Sequence, residues 1–474
     1  MNTSVVFQTL GCKLNQLESE SIAASFKKAG FTITNKFITD NPCLFFVNTC
    51  TVTSKSEQKA RRIIRAILRN NPFCPVIVTG CYAQLNKTDL EKLESIPPNT
   101  ERRLFVVPGN EKNILSALPE FMSLHINSMS AAACVNAFLK SSEHQAVPFS
   151  FDLDSFTFHS RAFLKIQDGC NNCCTFCRVH IARGNSVSLD AEIVLQRLRE
   201  LENADFEEAV LSGVNITQYE SKNLNKSNIN LSGLLTYLLE GTKKIALRLS
   251  SIEPDFFTPD FFSVAAHPRI RPHFHLSVQS FSNDILHSMG RKYTAQNVMD
   301  AVNSLRTIKD DPFLACDIIT GFPGESDLDF EKTFDGCKKI DFAWIHSFPY
   351  SKRPGTQAFD FKNRIQEKIS FERTEKLLKL ASLSKTRYIQ RWVGKEIDAI
   401  SLCESKQSGL QECLSANYLR LSPEKNKTGF PVQGKAFRCR ITALNDDSAY
   451  PRIDAFCIPL TFSKESKCAE HFYN

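Results

Sequence analysis

Four cysteines stand within eight residues in the stretch DGCNNCCTFC, Asp168 to Cys177. The stretch has two spellings. Two abutting CxxC pairs, Cys170/Cys173 and Cys174/Cys177, would suit zinc or a redox dithiol. One CxxxCxxC, made of Cys170, Cys174 and Cys177, leaves Cys173 aside and suits an iron–sulfur cluster. Structural zinc takes four ligands in a tetrahedron. Its two knuckles are normally well separated, so that they can face each other, and abutting pairs leave no room for that. Three thiolates are one fewer than usually hold a 4Fe–4S cluster, so one iron stays open to an outside ligand. An open iron suits catalysis better than simple electron transfer.

A second set of thiols is dispersed. SVVFQTLGC ends at Cys12, CLFFVNTC at Cys50 and PVIVTGC at Cys81. Each is an apolar run of strand length that breaks just before the cysteine. Helical stretches lie between them. QLESESIAASFKKAGF puts Leu17, Ile22, Ala23 and Phe26 on one face, and SKSEQKARRIIRAILRN carries Ile63, Ile64 and Ile67 as its stripe. Alternating strands and helices with unbroken apolar strands predict a doubly wound parallel sheet. Ligands bind such sheets beyond the strands' carboxyl ends, where all three cysteines fall. One strand-end cysteine is ordinarily a small buried hydrophobe. Three in equivalent places, beside a second cluster, predict a second three-thiolate site.

From Arg161 the alternation continues on a larger scale. AFLKIQ, EAVLSG, IALRLSS, HFHLSVQ, ACDIITG and AWIHSFPY read as strands with helices between. Six such units predict an open or partial barrel related to the TIM barrel, whose chemistry sits at the strands' carboxyl ends. Gly213 and Asn215, Ser251 and Glu253, Gln279, Ile319 to Gly321 and Glu325 fall there, as does the cysteine cluster. After a basic helix the pattern turns to short alternating strands, which suit a small OB-like β-barrel. Its tyrosines and basic residues would suit single-stranded nucleic acid. The fold class is therefore α/β with a C-terminal β-barrel. The domains expected are 1–121, a linker at 122–157 with at most one strand, 158–390 and 391–462.

Composition narrows the setting. Of 474 residues, 42% are hydrophobic and 23% charged, ordinary for a globular chain. No stretch has the ~18–20 consecutive apolar residues of a membrane span, and the first residues lack a signal peptide's basic start. Seventeen cysteines, an odd number, argue for metal ligation and scattered buried thiols in a reducing cytoplasm rather than a disulfide framework. The net charge of +7 favours a polyanionic partner.

CxxxCxxC after the first barrel strand resembles the radical S-adenosylmethionine enzymes. TLGCKLNQLESE, FVNTCTVTSKSEQK, VTGCYAQ, LSGVNITQY, LRLSSIEP, DIITGFPGE and SFPYSKRPGT resemble the methylthiotransferase family within them, and the last domain is similar to its TRAM module. GCKLNQLES is most similar to members acting on N6-threonylcarbamoyladenosine in tRNA. The resemblance implies a tRNA-modifying enzyme that methylthiolates C2 of that base at position 37, beside the anticodon. It implies two 4Fe–4S clusters, one on Cys170, Cys174 and Cys177 and an auxiliary one on Cys12, Cys50 and Cys81. It further implies two S-adenosylmethionine molecules, held near Gly213, Asn215, Ser251, Glu253, Gln279, Ile319 and Gly321. One methylates a cluster-bound sulfur; the other yields a deoxyadenosyl radical that takes the C2 hydrogen. The implied partners are a tRNA anticodon loop and a flavodoxin- or ferredoxin-like reductant, with a monomeric, cytoplasmic protein that meets no membrane. Lys59, Arg61, Arg62, Arg65 and Arg69 are candidates for phosphate contact. The other readings are a methylthiotransferase of isopentenyladenosine tRNA or of a ribosomal protein, an iron–sulfur carrier, and a non-catalytic metal-binding nucleic-acid-binding protein. The chain departs from the family pattern at Cys173, Ser277 and Phe281, and in ARGNSVSLD after the cluster loop.

Overall fold

The apolar runs of the N-terminal third form five parallel strands: β1 (Ser4–Thr9), β2 (Thr32–Thr34), β3 (Leu44–Thr49), β4 (Val76–Gly80) and β5 (Leu104–Val106). Their order is β2-β1-β3-β4-β5. The computed structural model describes residues 3–36, 42–95, 101–141, 149, 161–222, 228–404, 410–424 and 432–461. Helix α1 (Lys13–Lys28) packs Leu17, Ile22, Ala23 and Phe26 with Phe7 and Phe46 on one face of the sheet. Helix α2 (Ser54–Asn70) packs Ala60, Ile64 and Ile67 with Val47 and Val78 on the other. Residues of β3 and β4 are buried on both faces, which is why their sequences carry no polar alternation.

The expected linker contains more order than its composition suggested. Helices Leu118–His125 and Ala131–Lys140 occupy its first part, and Cys134, Val135 and Phe138 are buried in the layer with α1. Ser130 caps the second helix by accepting from the Ala133 amide at 3.0 Å. Residues 142–148 and 150–157 of that segment lie outside the described residues.

The six expected central strands are present: Ala162–Lys165, Glu208–Ser212, Ala246–Leu249, His273–Gln279, Phe313–Thr320 and Trp344–Pro349. They pair in parallel within two three-stranded sheets, and the bridges Leu247–Ile270 and Ile252–Leu276 join the two. The arc stays open between its first and last strands. Helix α1 stands against the first edge, where Lys165 Nζ reaches Glu18 Oε1 at 3.0 Å.

The 26-residue helix Glu367–Trp392 covers the last strand and leads into a closed five-stranded barrel, Glu396–Thr461. The alternating stretch SANYLRLS, Ser415 to Ser422, is not one strand: it holds the end of the strand Gln411–Ser415, a turn with Tyr418 at φ +72°, and most of the strand Arg420–Pro423. Tyr418 does not offer its ring to nucleic acid as expected of this domain's tyrosines. It leaves the barrel and stacks on His273 at the base of the central sheet, 4.0 Å between centroids. Among the described residues no helix is long and apolar enough to cross a membrane.

Candidate active site

Cys12, Cys50 and Cys81 follow β1, β3 and β4, which are neighbours in the sheet, so their loops adjoin. Two glycines make the approach possible. Gly11 has φ +103°, and a Cβ there would lie 2.9 Å from the Cys50 sulfur. Gly80 has φ +98°, and a Cβ would meet the Thr49 carbonyl at 2.3 Å. Asn15 ties two of the loops by donating to Leu10 O at 2.8 Å and Thr49 O at 3.0 Å. The Val52 amide donates to the Cys50 sulfur at 3.5 Å. Burial pushes the Cys50 thiol up to about 11, and nearby Cys12 and Cys81 push it the same way.

The other thiols share one wall. Cys170, Cys174 and Cys177 line a cavity of about 130 Å³ with Asn215, Ser251 and Glu253. The Asn172 amide donates to the Cys170 sulfur and the Val179 amide to the Cys177 sulfur, each at 3.4 Å. Burial raises all three thiols, Cys177 to about 11, so each holds its proton unless a metal takes the sulfur. The Asn215 side chain faces the Cys170 sulfur, and its buried Nδ2 has no hydrogen-bond partner. Glu253 is fixed by Arg291 at 2.7 Å and by Asn172 Nδ2 at 2.9 and 2.8 Å. Cys173 is exposed and lines a separate cavity with Asp255 and Lys292.

Four residues expected around S-adenosylmethionine lie off this cavity. A Cβ on Gly213 would meet Gln167, and one on Gly321 would meet Ser370, so both glycines permit backbone packing. Ile319 packs with Phe322 in an apolar cluster. Gln279 sits at a strand irregularity with φ +64°. Conversely, Arg291, Ser277, Val179 and His180 line the cavity and were not expected to. The polar strand-end pattern signalled Ser277 weakly, but nothing local pointed to Arg291. Phe281, a departure from the family pattern, points elsewhere: its ring covers Gly336, where a Cβ would approach it to 2.5 Å.

The two thiol sets meet across a buried polar seam. Arg183 donates to Asn15 Oδ1 at 2.9 Å, to Glu18 Oε1 at 3.1 Å and to Asp168 Oδ1 at 2.9 Å. Burial raises the Glu18 carboxyl, but Arg183, Lys112 and Lys165 outweigh it and hold it well below the usual range. A parallel contact joins Thr51 and Glu57 to Arg178 and Arg353. Removing one member of such a buried pair strands the charge of the other and costs about 3–5 kcal/mol.

Among the described residues no three His, Cys, Asp or Glu side chains are gathered as a ready site for a metal ion. The central thiols nevertheless fit an iron–sulfur cluster. They are soft ligands on one cavity wall, two of their sulfurs accept backbone amides, and an unpartnered buried amide remains beside them. Residues 164–336 match the Radical SAM superfamily, and residues 4–98 match the uncharacterized protein family UPF0004. Together with the six-stranded arc, this makes the chain a radical S-adenosylmethionine enzyme, which uses S-adenosylmethionine and a 4Fe–4S cluster. It is 38% identical to the threonylcarbamoyladenosine tRNA methylthiotransferase MtaB of Treponema pallidum (strain Nichols), over 88% of this chain and 94% of that one. The MtaB proteins of Aquifex aeolicus (strain VF5) and Bacillus subtilis (strain 168) are 32% and 31% identical, over 92% and 88% of this chain and 100% and 90% of theirs. The chain belongs to the MtaB family of threonylcarbamoyladenosine tRNA methylthiotransferases.

Proposed function

We propose that the protein methylthiolates C2 of N6-threonylcarbamoyladenosine at position 37 of tRNA, using two 4Fe–4S clusters and two S-adenosylmethionine molecules. Methylthiolation of threonylcarbamoyladenosine tRNA is the activity of its family. The observation that carries the detailed reading is the cavity walled by Cys170, Cys174 and Cys177 with Asn215, Ser251 and Glu253. These three cysteines hold one cluster, and Cys12, Cys50 and Cys81 hold the other. When bound, the clusters and S-adenosylmethionine supply the one-electron chemistry at C2 and the sulfur group that replaces its hydrogen.

The chain's own residues position and shield. Asn215, Ser251 and Glu253 hold S-adenosylmethionine, with Glu253 kept in place by Arg291 and Asn172. Arg183 lies near Cys12 and Cys81 and also binds Asp168, beside the central cluster loop. It therefore keeps the two thiol sets in one register across the seam. Bases of an anticodon loop are unstacked and open to edge recognition. The electrons come from a flavodoxin- or ferredoxin-like protein, and the enzyme works as a monomer in the cytoplasm.

The test is mass spectrometry of tRNA nucleosides from cells lacking the gene, complemented with the wild type or with Cys170→Ala. The 2-methylthio form should vanish on deletion, return with the wild type, and stay absent with Cys170→Ala while its precursor accumulates. An unchanged nucleoside profile on deletion overturns the reading.

A further inference from the structure

Below the thiol cavity the interior of the strand arc is polar and unevenly charged. Ser277 lines the cavity, and His275 lies two residues deeper on the same face of the strand, a drop of ~7 Å. His275 Nε2 is 3.0 Å from Asp317 Oδ1, and its ring lies parallel to that of His346 at 5.1 Å. Lys13 reaches the base of this space from the start of α1: its ammonium lies 5.8 Å from the centroid of the Tyr418 ring, which stacks on His273, and it acts electrostatically on His346. Among the described residues no carboxylate lies within ion-pair distance of that ammonium; the Tyr418 phenol and, further off, Glu208 attract it, while Arg161 and Arg248 repel it.

The surrounding charge does not balance it. Arg161, Arg248 and Arg271 all converge on the single carboxylate of Glu208, at 3.7, 2.7 and 2.9 Å. With Lys13 and Asp317 included, four cations face two carboxylates and the Tyr418 phenol, which Lys13, Arg161 and Arg248 pull down to about 8. A cation shielded from water without a partner is costly. Such a chamber favours an anionic ligand and penalises a neutral one that leaves the ammonium unpaired.

We propose that Lys13 is a specificity-determining residue whose ammonium takes the carboxylate of the threonylcarbamoyl arm on N6 of the substrate adenosine. This rests on the proposed function. C2 and N6 lie on the same edge of adenine, so a base presenting C2 to the thiol cavity sends its N6 arm along the same wall. The step from Ser277 to His275 is the kind of distance an extended carbamoyl–threonine arm spans. The His275–His346 pair flanks that path. An isopentenyl arm has no charge to offer and leaves Lys13 unpaired.

The experiment uses the full-chain enzyme with its clusters reconstituted. Anticodon stem-loops carry threonylcarbamoyladenosine either as the free acid or as its carboxyl methyl ester. Binding is read by fluorescence anisotropy and turnover by mass spectrometry, for wild type, Lys13→Gln and Lys13→Arg. Wild type should bind the acid at least about tenfold more tightly than the ester, as expected for a charge-assisted contact. Lys13→Gln should bring that ratio below about twofold, raising KM far more than it lowers kcat, and Lys13→Arg should restore much of the preference. Lys13 adjoins Cys12, so iron content is read for every variant. The wild-type ratio needs no substitution and overturns the proposal by itself if acid and ester bind alike. An unchanged ratio in Lys13→Gln also overturns it. If wild type leaves the acid stem-loop unmodified, the substrate reading itself fails.

Discussion

Cys173 is the residue that makes a zinc spelling of the cluster loop possible, and its placement sets it apart. It is exposed and opens onto a different cavity from Cys170, Cys174 and Cys177. Cys173→Ala is expected to retain the iron content, visible spectrum and activity of the wild type, because an exposed thiol whose one polar contact is a long one to Asn171 O, at 4.0 Å, shifts stability by no more than about 0.5 kcal/mol. Cys174→Ala, by contrast, should lose the central cluster and all turnover. Iron and sulfide analysis of the two variants checks this, and a Cys173→Ala protein with half its iron would return the two-pair reading. Phe348 presents the second residue-scale case. It stands one residue before the end of the last central strand, is 46% exposed, and its ring is parallel to that of His346 at 6.4 Å. An exposed ring at the catalytic end of the arc suits stacking on an unpaired base. Phe348→Ala should weaken stem-loop binding by ~1–3 kcal/mol, the usual worth of one base–aromatic stack. An unchanged Kd by anisotropy would leave Phe348 without that role.

At the scale of elements, the base of the central sheet is bound to its neighbours by charge. Glu208, at the start of its strand, is 2% exposed and takes Arg248 through both oxygens, at 2.7 and 2.8 Å. Burial pushes its carboxyl up, but Arg248, Arg271 and Arg161 outweigh burial and hold it at about 2. In the unfolded chain the same carboxyl takes its proton near 4.5. Between those values the unfolded chain binds more protons than the folded one, so lowering the pH favours unfolding. The stabilisation from Glu208 is intact above about pH 4.5 and is lost progressively toward pH 2. Glu208→Gln should cost about 3–5 kcal/mol at neutral pH, because it strands the guanidiniums. It should also flatten the fall of the melting temperature with acid, which thermal unfolding from pH 6 to pH 3 would reveal. The strands themselves were legible in the sequence, since each is an apolar run broken by glycine or a polar residue. Cys12, Cys50 and Cys81 were legible for the same reason: each punctuates such a run. Arg291 was not, because its role comes from Glu253, 38 residues earlier in the chain, and no local periodicity encodes that pairing. The helix Ala131–Lys140 was hidden by its small residues, which become a packing face only against the sheet. The turn at Tyr418 leaves no mark in the sequence, because a left-handed residue inside an alternating run looks like part of a strand.

At the scale of the whole molecule, a basic stripe runs outward from the seam between the thiol sets. The start of α2 touches the central domain where the Ser54 amide donates to Ser351 Oγ at 3.1 Å. Along the helix, Lys59, Arg62, Arg65 and Arg69 are exposed, whereas Arg61 turns inward and donates to the Tyr82 hydroxyl at 2.6 Å. Arg61 is therefore removed from the expected phosphate-binding set, and the other four share one side of the helix, since residues three and four apart are neighbours there. An excess of seven positive charges over the chain adds long-range attraction for a polyanion. On the proposed function, the stripe holds the arm of a tRNA whose anticodon loop reaches the thiol cavity. Each phosphate neutralised releases condensed counterions, so binding weakens with salt in proportion to the contacts made, by ~0.7–0.9 in log–log slope per phosphate. The triple variant Lys59→Ala, Arg62→Ala, Arg65→Ala should therefore lower that slope by about 2–3 and weaken binding at low salt, with little effect on turnover once tRNA saturates the enzyme. A short anticodon stem-loop that cannot reach α2 should be indifferent to the same substitutions. Measuring Kd against salt for both RNAs separates the two cases. Equal losses for tRNA and stem-loop would mean that the stripe acts through the active-site seam, and an unchanged slope for tRNA would mean that the basic face of α2 is merely solvated.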